Sequence, residues 1–389
     1  MSYVFNCVTP ISKKGYRMQA FQTLTGLRFL AAFYVFAFHI HIRYPLNLPQ
    51  FFTNILKFGA VGVTLFFMLS GFVLTVNYGR KAELDYYFYI RRFARIYPVY
   101  LFSLLSTLPI FLILPVGEQL QTLQFWLVLL LDIFLIQSYF YPVAMLWHGG
   151  ASWSLSVEAF FYAIFPFFLK IVKRLSAFKL YVWIVIFTIL SIIPGLIAIA
   201  FPSSSIVGHA YTNPFSRLPE FVVGMLFGML YLQKQEPHPL TSKLQSKFDL
   251  VLEQAISLLQ TAFILSLIIL YLGSWASHPL LRGDYYVTHN FFLVPMFGIL
   301  IYLLTKKSLL SMLLSSKIMV FLGEISYSFY LNQVVVIFGF KYWHDNILIN
   351  KWSSDIILIV TFCLLLLLSI ITYLFVEKPL RKMILNRQA

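Results

Sequence analysis

Eleven stretches of the chain are apolar over a length close to that of a spanning helix: 21–42, 58–78, 97–115, 123–140, 152–170, 180–200, 217–233, 257–273, 291–305, 318–340 and 355–376. A helix needs about 20 such residues to cross a ~30 Å hydrocarbon core. Between them lie short polar loops, and the one long polar stretch is about 234–252. No fixed-period repeat or low-complexity tract interrupts the pattern. It predicts an all-α polytopic transmembrane bundle, with a tail at 1–20, a membrane domain at 21–376 and a second tail at 377–389.

Charge decides how many stretches cross. Cytoplasmic loops collect Lys and Arg. With the N-terminus inside, Lys13, Lys14 and Arg17 are inside, as are Arg80, Lys81, Arg91, Arg92 and Arg95. Eleven crossings would expose Lys170, Lys173, Arg174 and Lys179, and every later cluster: Lys234, Lys243, Lys247, Lys306, Lys307, Lys317, Lys378, Arg381, Lys382 and Arg387. If one stretch between 97 and 170 fails to cross, all of these turn inside. Twenty-two basic residues are then cytoplasmic and five (Arg43, Lys57, Arg282, Lys341, Lys351) are outside. Ten crossings are expected, with both termini cytoplasmic. The weakest crosser is 123–140, short and carrying Asp132, which reads as re-entrant or interfacial.

Composition agrees: 389 residues, 60% hydrophobic and only 11% charged, with mean hydropathy +0.82. A soluble fold is excluded. The net charge of +15 follows from loop topology rather than from nucleic-acid binding. Cys7 and Cys363 offer no disulfide framework. The first apolar stretch is too long for a signal peptide and is expected to stay as a span. No soluble domain is expected after Phe375.

The polar exceptions inside the apolar stretches carry the chemistry. Arg28 and His39 lie on one helix, eleven residues apart, on one stripe and about 16 Å apart along the axis. Ionisable groups in a span are costly and are kept mainly where they face protein or a wet cavity. On the expected topology, His39, Trp153, Ser154, Glu158, Arg217, Glu220, Asn332 and Gln333 gather from four helices in the outer half, while Arg91, Arg92 and Arg95 are cytoplasmic. Each also admits a structural role: His39 as a packing residue, Glu158 or Glu220 as an ion-pair partner of Arg217, the arginine cluster as a topological anchor. His41, His148, His209, His278, His289 and His344 lack metal-ligand spacing, so no metal is expected. There is no Walker loop, dinucleotide fingerprint or nucleophile elbow. A histidine beside a carboxylate can take a proton from a hydroxyl, and arginine forks suit phosphates. Together they fit group transfer from a phosphate-bearing donor inside to a hydroxyl outside.

These motifs resemble the membrane acyltransferase family 3, along nearly the whole chain. The matching stretches are Leu24–Arg28 through His39, Gly62–Phe72, Arg92-Phe93-Ala94-Arg95-Ile96-Tyr97-Pro98, Trp153–Glu158 with Phe161-Tyr162, Arg217–Phe221 with Gly224, Leu322–Leu331, and Val376-Glu377-Lys378-Pro379. The resemblance implies O-acylation, commonly acetylation, of an envelope or secreted carbohydrate in a bacterial inner membrane, such as lipopolysaccharide O-antigen or exopolysaccharide. It implies acetyl-CoA or another acyl-CoA as donor. In its terms His39 and Arg28 are the essential pair, with Glu158 a candidate to orient the imidazole. Arg92 and Arg95 are the donor-binding motif. Ser154, Arg217, Glu220, Tyr330 and Gln333 are acceptor-side candidates. One departure is visible: family members often carry His where this chain has Gln333, and a glutamine cannot take up a proton. Some members carry an additional soluble domain; this sequence shows none, so the chain is expected to deliver the acyl group itself. The expected partners are membrane lipids, acyl-CoA and a carbohydrate. The rival reading is a carrier for a lipid-linked sugar or organic anion, but the paired interrupted helices such carriers use are absent from the pattern.

Overall fold

The computed structural model describes residues 13–113, 122–146, 149–235, 247–274, 283–344 and 352–386. Cys7, His148, Lys243, His278, Arg282, Lys351 and Arg387 lie outside the described residues. The helices in chain order are α1 (Lys13–His41), α2 (Gln50–Lys57), α3 (Val61–Tyr78), α4 (Tyr87–Ile113), α5 (Thr122–Ile133), α6 (Tyr141–Ala144), α7 (Gly149–Val172), α8 (Ala177–Leu190), α9 (Ile193–Ala200), α10 (Ser204–Thr212), α11 (Pro214–Lys234), α12 (Lys247–Ser274), α13 (Gly283–Leu304), α14 (Leu309–Leu314), α15 (Lys317–Trp343), α16 (Ser354–Thr372) and α17 (Lys378–Asn386). A single π-helical turn, Tyr373–Glu377, joins the last two.

Among the described residues, nine helical segments are long and apolar enough to span. They are α1, α3, α7, α8–α9, α10–α11, α12, α13, α15 and the segment beginning with α16. A further helix, α4, has 27 residues, about 40 Å at 1.5 Å per residue. The odd stretch is α5: its 12 residues reach only about 18 Å. Its end docks on α4, where Tyr100 donates to the Asp132 carbonyl at 2.7 Å. The chain then turns back to α7 through a Ser138–Ser156 contact of 2.6 Å. Non-spanning backbone at membrane depth is tolerated when it is covered by protein in this way.

Three boundaries differ from the sequence reading. Arg91, Arg92 and Arg95 are not in a loop but in the first turns of α4, because the helix starts at Tyr87 rather than 97. Stretch 180–200 is broken between α8 and α9, where Pro194 enters the first turn of a new helix. The predicted tails are partly helical: α1 begins at Lys13 and α17 runs over 378–386.

Helices α3 and α10–α11 form the centre, with 78% and 83% of their most apolar stretch buried, against 28%, 22% and 28% for α8–α9, α12 and α16 on the periphery. No hydrophobic effect drives helices together in lipid, so close backbone approach matters. Gly71 and Gly224 permit it: a Cβ on either would lie 2.1 Å from a backbone oxygen of the facing helix. Gly323 of α15 does the same against Thr25 of α1, at 2.0 Å. These two seams hold α1, α3, α11 and α15 in fixed register, and the polar groups of the site ride on them. One end of the bundle is basic. There Lys173 reaches the Lys81 carbonyl, Gln233 donates to the Leu175 carbonyl at 2.8 Å, and Lys234 and Lys306 both stack on Tyr302.

Candidate active site

Five helices each turn side chains toward a shared cavity. From α1 comes Arg28; from α3, Val63, Phe66, Phe67 and Ser70; from α4, Arg95 and Ile96; from α7, Ser154, Leu155 and Glu158; from α15, Ser326, Tyr327 and Tyr330. The spacings of three, four and seven are those of one helical face. On α7 the stripe continues to Tyr162, which donates to the Glu158 Oε1. Ser70 donates to the same oxygen at 2.9 Å. Arg92, one turn before Arg95, lies over the Tyr162 ring at 5.8 Å.

The charge balance of this cavity is unusual. Arg28 lies within Coulombic reach of Arg95, Arg92, Glu158 and Tyr162. Among the described residues, neither Arg28 nor Arg95 has a hydrogen bond or ion pair, and the two ion pairs present are Arg91–Asp85 and Arg217–Glu220. Unpaired guanidiniums out of bulk water are costly, and Glu158 is the one acid among the described residues that lines this cavity with them.

Within the lining, Ser154 Oγ and the Tyr330 hydroxyl meet at 2.9 Å, backed by Phe66 against the Tyr330 ring. Three residues along α15, Gln333 reaches His39, with Nδ1 3.2 Å from Gln333 Oε1. With the amide oxygen turned to the ring, as here, the imidazole donates from Nδ1. Arg43 caps the same turn, donating to the His39 carbonyl at 2.9 Å and lying over Phe338. His41 faces elsewhere: its Nδ1 accepts from the Leu46 N–H at 3.1 Å.

Two expectations are corrected here. Glu158 is not the partner of His39; Gln333 is. A carboxylate in the span is stabilised by positive charge, and Glu158 lies near Arg28, about 16 Å along α1 from the imidazole. Glu158 is therefore also not in the outer half with Arg217. Nor do the two pair: Arg217 binds Glu220 at 2.9 Å and Thr64 at 3.1 Å. Its guanidinium is enclosed by the rings of Phe67, Trp153 and Tyr211, at 5.5, 5.9 and 5.7 Å. Asn332, grouped with Gln333 in the sequence, turns to Thr372 of α16 at 2.9 Å. Ser70, Tyr162 and Tyr327 escaped the sequence reading as site residues. All three lie in the quoted motifs, and four-residue spacing from Glu158 would have found Tyr162.

A polytopic helical bundle with an arginine-lined cavity, and a histidine one helical turn past its Tyr330 wall, is the class of protein this fold defines. A family model described as an acyltransferase domain matches residues 21–374, and the chain belongs to this family of membrane acyltransferases. Acyltransferase MdmB of Streptomyces mycarofaciens is 32% identical over 237 residues, 55% of this chain and 58% of that protein. Nodulation protein 10 of Rhizobium leguminosarum bv. viciae is 33% identical over 165 residues, 38% of this chain and 44% of that protein. O-acetyltransferase OatA of Staphylococcus aureus is 24% identical over 388 residues, 95% of this chain but 58% of OatA. The matches thus span less than two thirds of the length of these curated relatives. No solved structure matches the chain significantly.

Proposed function

We propose that the chain is an O-acyltransferase of the bacterial inner membrane that moves an acyl group, most simply acetyl, from cytoplasmic acyl-CoA to a hydroxyl of an envelope or secreted glycan such as lipopolysaccharide O-antigen or exopolysaccharide. The observation that carries this reading is the cavity lined by Arg28 and Arg95, whose Tyr330 lies one turn of α15 before Gln333, the residue in contact with His39. The O-acetyltransferase name of a relative covering 95% of this chain supports acetyl. In this reading the basic end and both termini are cytoplasmic, as positive charge favours.

The geometry suggests a division of labour. Arg92 and Arg95 meet the donor's phosphates, since guanidinium forks match phosphate oxygens. Arg28 and His39 are too far apart to act on one atom. The donor must therefore have a long arm between its phosphates and its thioester, as coenzyme A does. The acyl end passes the Ser154–Tyr330 contact. His39 Nε2 then accepts the hydroxyl proton as the acceptor oxygen bonds to the acyl carbon and the thiolate leaves, or it carries the acyl group between the two. Ser154, Arg217, Glu220, Tyr330 and Gln333 line or brace the acceptor side. Gln333 holds the ring without adding negative charge.

The test is transfer of label from acetyl-CoA to envelope glycan by the purified protein in lipid nanodiscs. Label retained in the glycan, with release of free coenzyme A, is the expected result. Glycan binding or movement without acyl gain would favour the carrier reading.

A further inference from the structure

The matched family region ends at 374, but the structure continues into a feature that faces the donor end of the cavity. At Tyr373–Glu377 the helix widens into a π turn. Pro379 explains the break in part, since it cannot donate to the carbonyl four residues back. Single π turns often mark functional positions. This one rotates Glu377 inward, where it is buried and accepts from Ser328 of α15 at 2.6 Å. Beyond it α17 packs against α4, the helix that carries Arg92 and Arg95.

That packing brings Arg381 within Coulombic reach of both Arg95 and Arg92. Among the described residues none of the three makes a hydrogen bond or ion pair, although Glu377 lies within Coulombic reach of Arg95 and Arg381. Asp85 binds Arg91 at 2.9 Å, Glu324 accepts from Tyr373 at 3.0 Å, and Glu377 and Glu158 accept from hydroxyls. The Arg92 Nε is buried without a partner. The three like charges repel one another, Glu377 offsets only one of them, and a bound anion would balance the excess. We propose that Arg381, carried on α17, is a third arginine of the donor-phosphate site, closing with Arg92 and Arg95 around a phosphate at the basic mouth of the cavity. The proposal rests on the acyl-CoA reading above. A lipid headgroup presents the same phosphate chemistry, and the exposed Lys378 and Lys382 beside Arg381 are suited to it.

The experiment is coenzyme A binding by calorimetry to the full chain in nanodiscs of purely zwitterionic lipid. Wild type is compared with Arg92→Ala, Arg381→Ala, Arg381→Lys and Lys382→Ala, and melting temperature is followed in each. One lost charge-assisted contact predicts about tenfold weaker binding for Arg381→Ala. Arg381→Lys should lose less, and Lys382→Ala should bind as wild type. Wild-type affinity in Arg381→Ala, with Arg92→Ala impaired, would overturn the role of Arg381 and leave the donor reading standing. An effect of Arg381→Ala seen only when phosphatidylglycerol is added to the discs would also overturn it and assign the residue to a lipid headgroup. Absence of coenzyme A binding in wild type and every variant would overturn both.

Discussion

Arg217 and Arg28 are both arginines within the membrane domain, and the protein treats them in opposite ways. Arg217 is 3% exposed, paired with Glu220, bonded to Thr64 and enclosed by three aromatic rings. Arg28 opens onto the cavity with no anionic partner in contact. The first arrangement meets the charge with an internal carboxylate, leaving only Arg217 Nε without a partner beside a smaller second cavity. The second has no ion-pair partner among the described residues. A charge inside the bilayer is thus no guide to function by itself; whether its partners are already present is.

The comparison is broken most directly by exchanging the two outcomes. Arg217→Ala leaves the buried Glu220 without its counter-charge, and breaking such a pair costs about 3–5 kcal/mol. Loss of folded protein in detergent melts is expected. Arg28→Met should lower the melting temperature less than Arg217→Ala, because Glu158 keeps Ser70 and Tyr162 as hydrogen-bond donors, while acyl transfer is abolished. If Arg28→Met unfolds the protein, the contrast between the two sites is wrong.

A smaller effect is expected beyond the Tyr330 wall of the cavity. Gln333→Leu removes the acceptor that holds Nδ1–H of His39. It should lower the transfer rate about 10-fold to 100-fold, the scale of an orienting contact around a catalytic imidazole, with little change in coenzyme A affinity. Gln333→His, which restores the residue common among relatives by resemblance, should retain more activity than Gln333→Leu. Equal rates in both would show that the 3.2 Å contact does not orient the ring.

The smallest effect should come from Tyr162→Phe. It removes one of two hydroxyls donating to Glu158 and leaves Ser70 in place. A cost of about 1 kcal/mol in stability is expected, read from equilibrium melts alongside Ser70→Ala. Additive losses in the double variant would contradict a shared acceptor; coupling of about 0.5 kcal/mol or more would support it.

Helix existence was legible because hydropathy and the distribution of Lys and Arg act over whole segments. The short α5 was legible in part: the parity of basic loops required one of the three stretches between 97 and 170 not to cross, and only length and Asp132 made 123–140 the weakest of them. The partners of individual side chains were not. Glu158 and Gln333 occupy different helices, and which of them meets His39 depends on the depth of α7 against α15, set by contacts such as Gly323 against Thr25. No one-dimensional pattern encodes that depth. The start of α4 at Tyr87 was missed because its first turns are polar and aromatic, which hydropathy reads as loop. Arg381 was counted only as a topological charge, since the π turn that directs α17 onto α4 has no signal in periodicity.

The central claim is that the cavity and His39 are two parts of one transfer path, and His39→Ala tests it. The measurement is single-turnover transfer of labelled acetyl from acetyl-CoA to glycan in nanodiscs, with coenzyme A affinity and melting temperature determined on the same preparation. The account predicts wild-type affinity, a wild-type melt and no label in glycan. Near-normal labelling by the His39→Ala protein would contradict it.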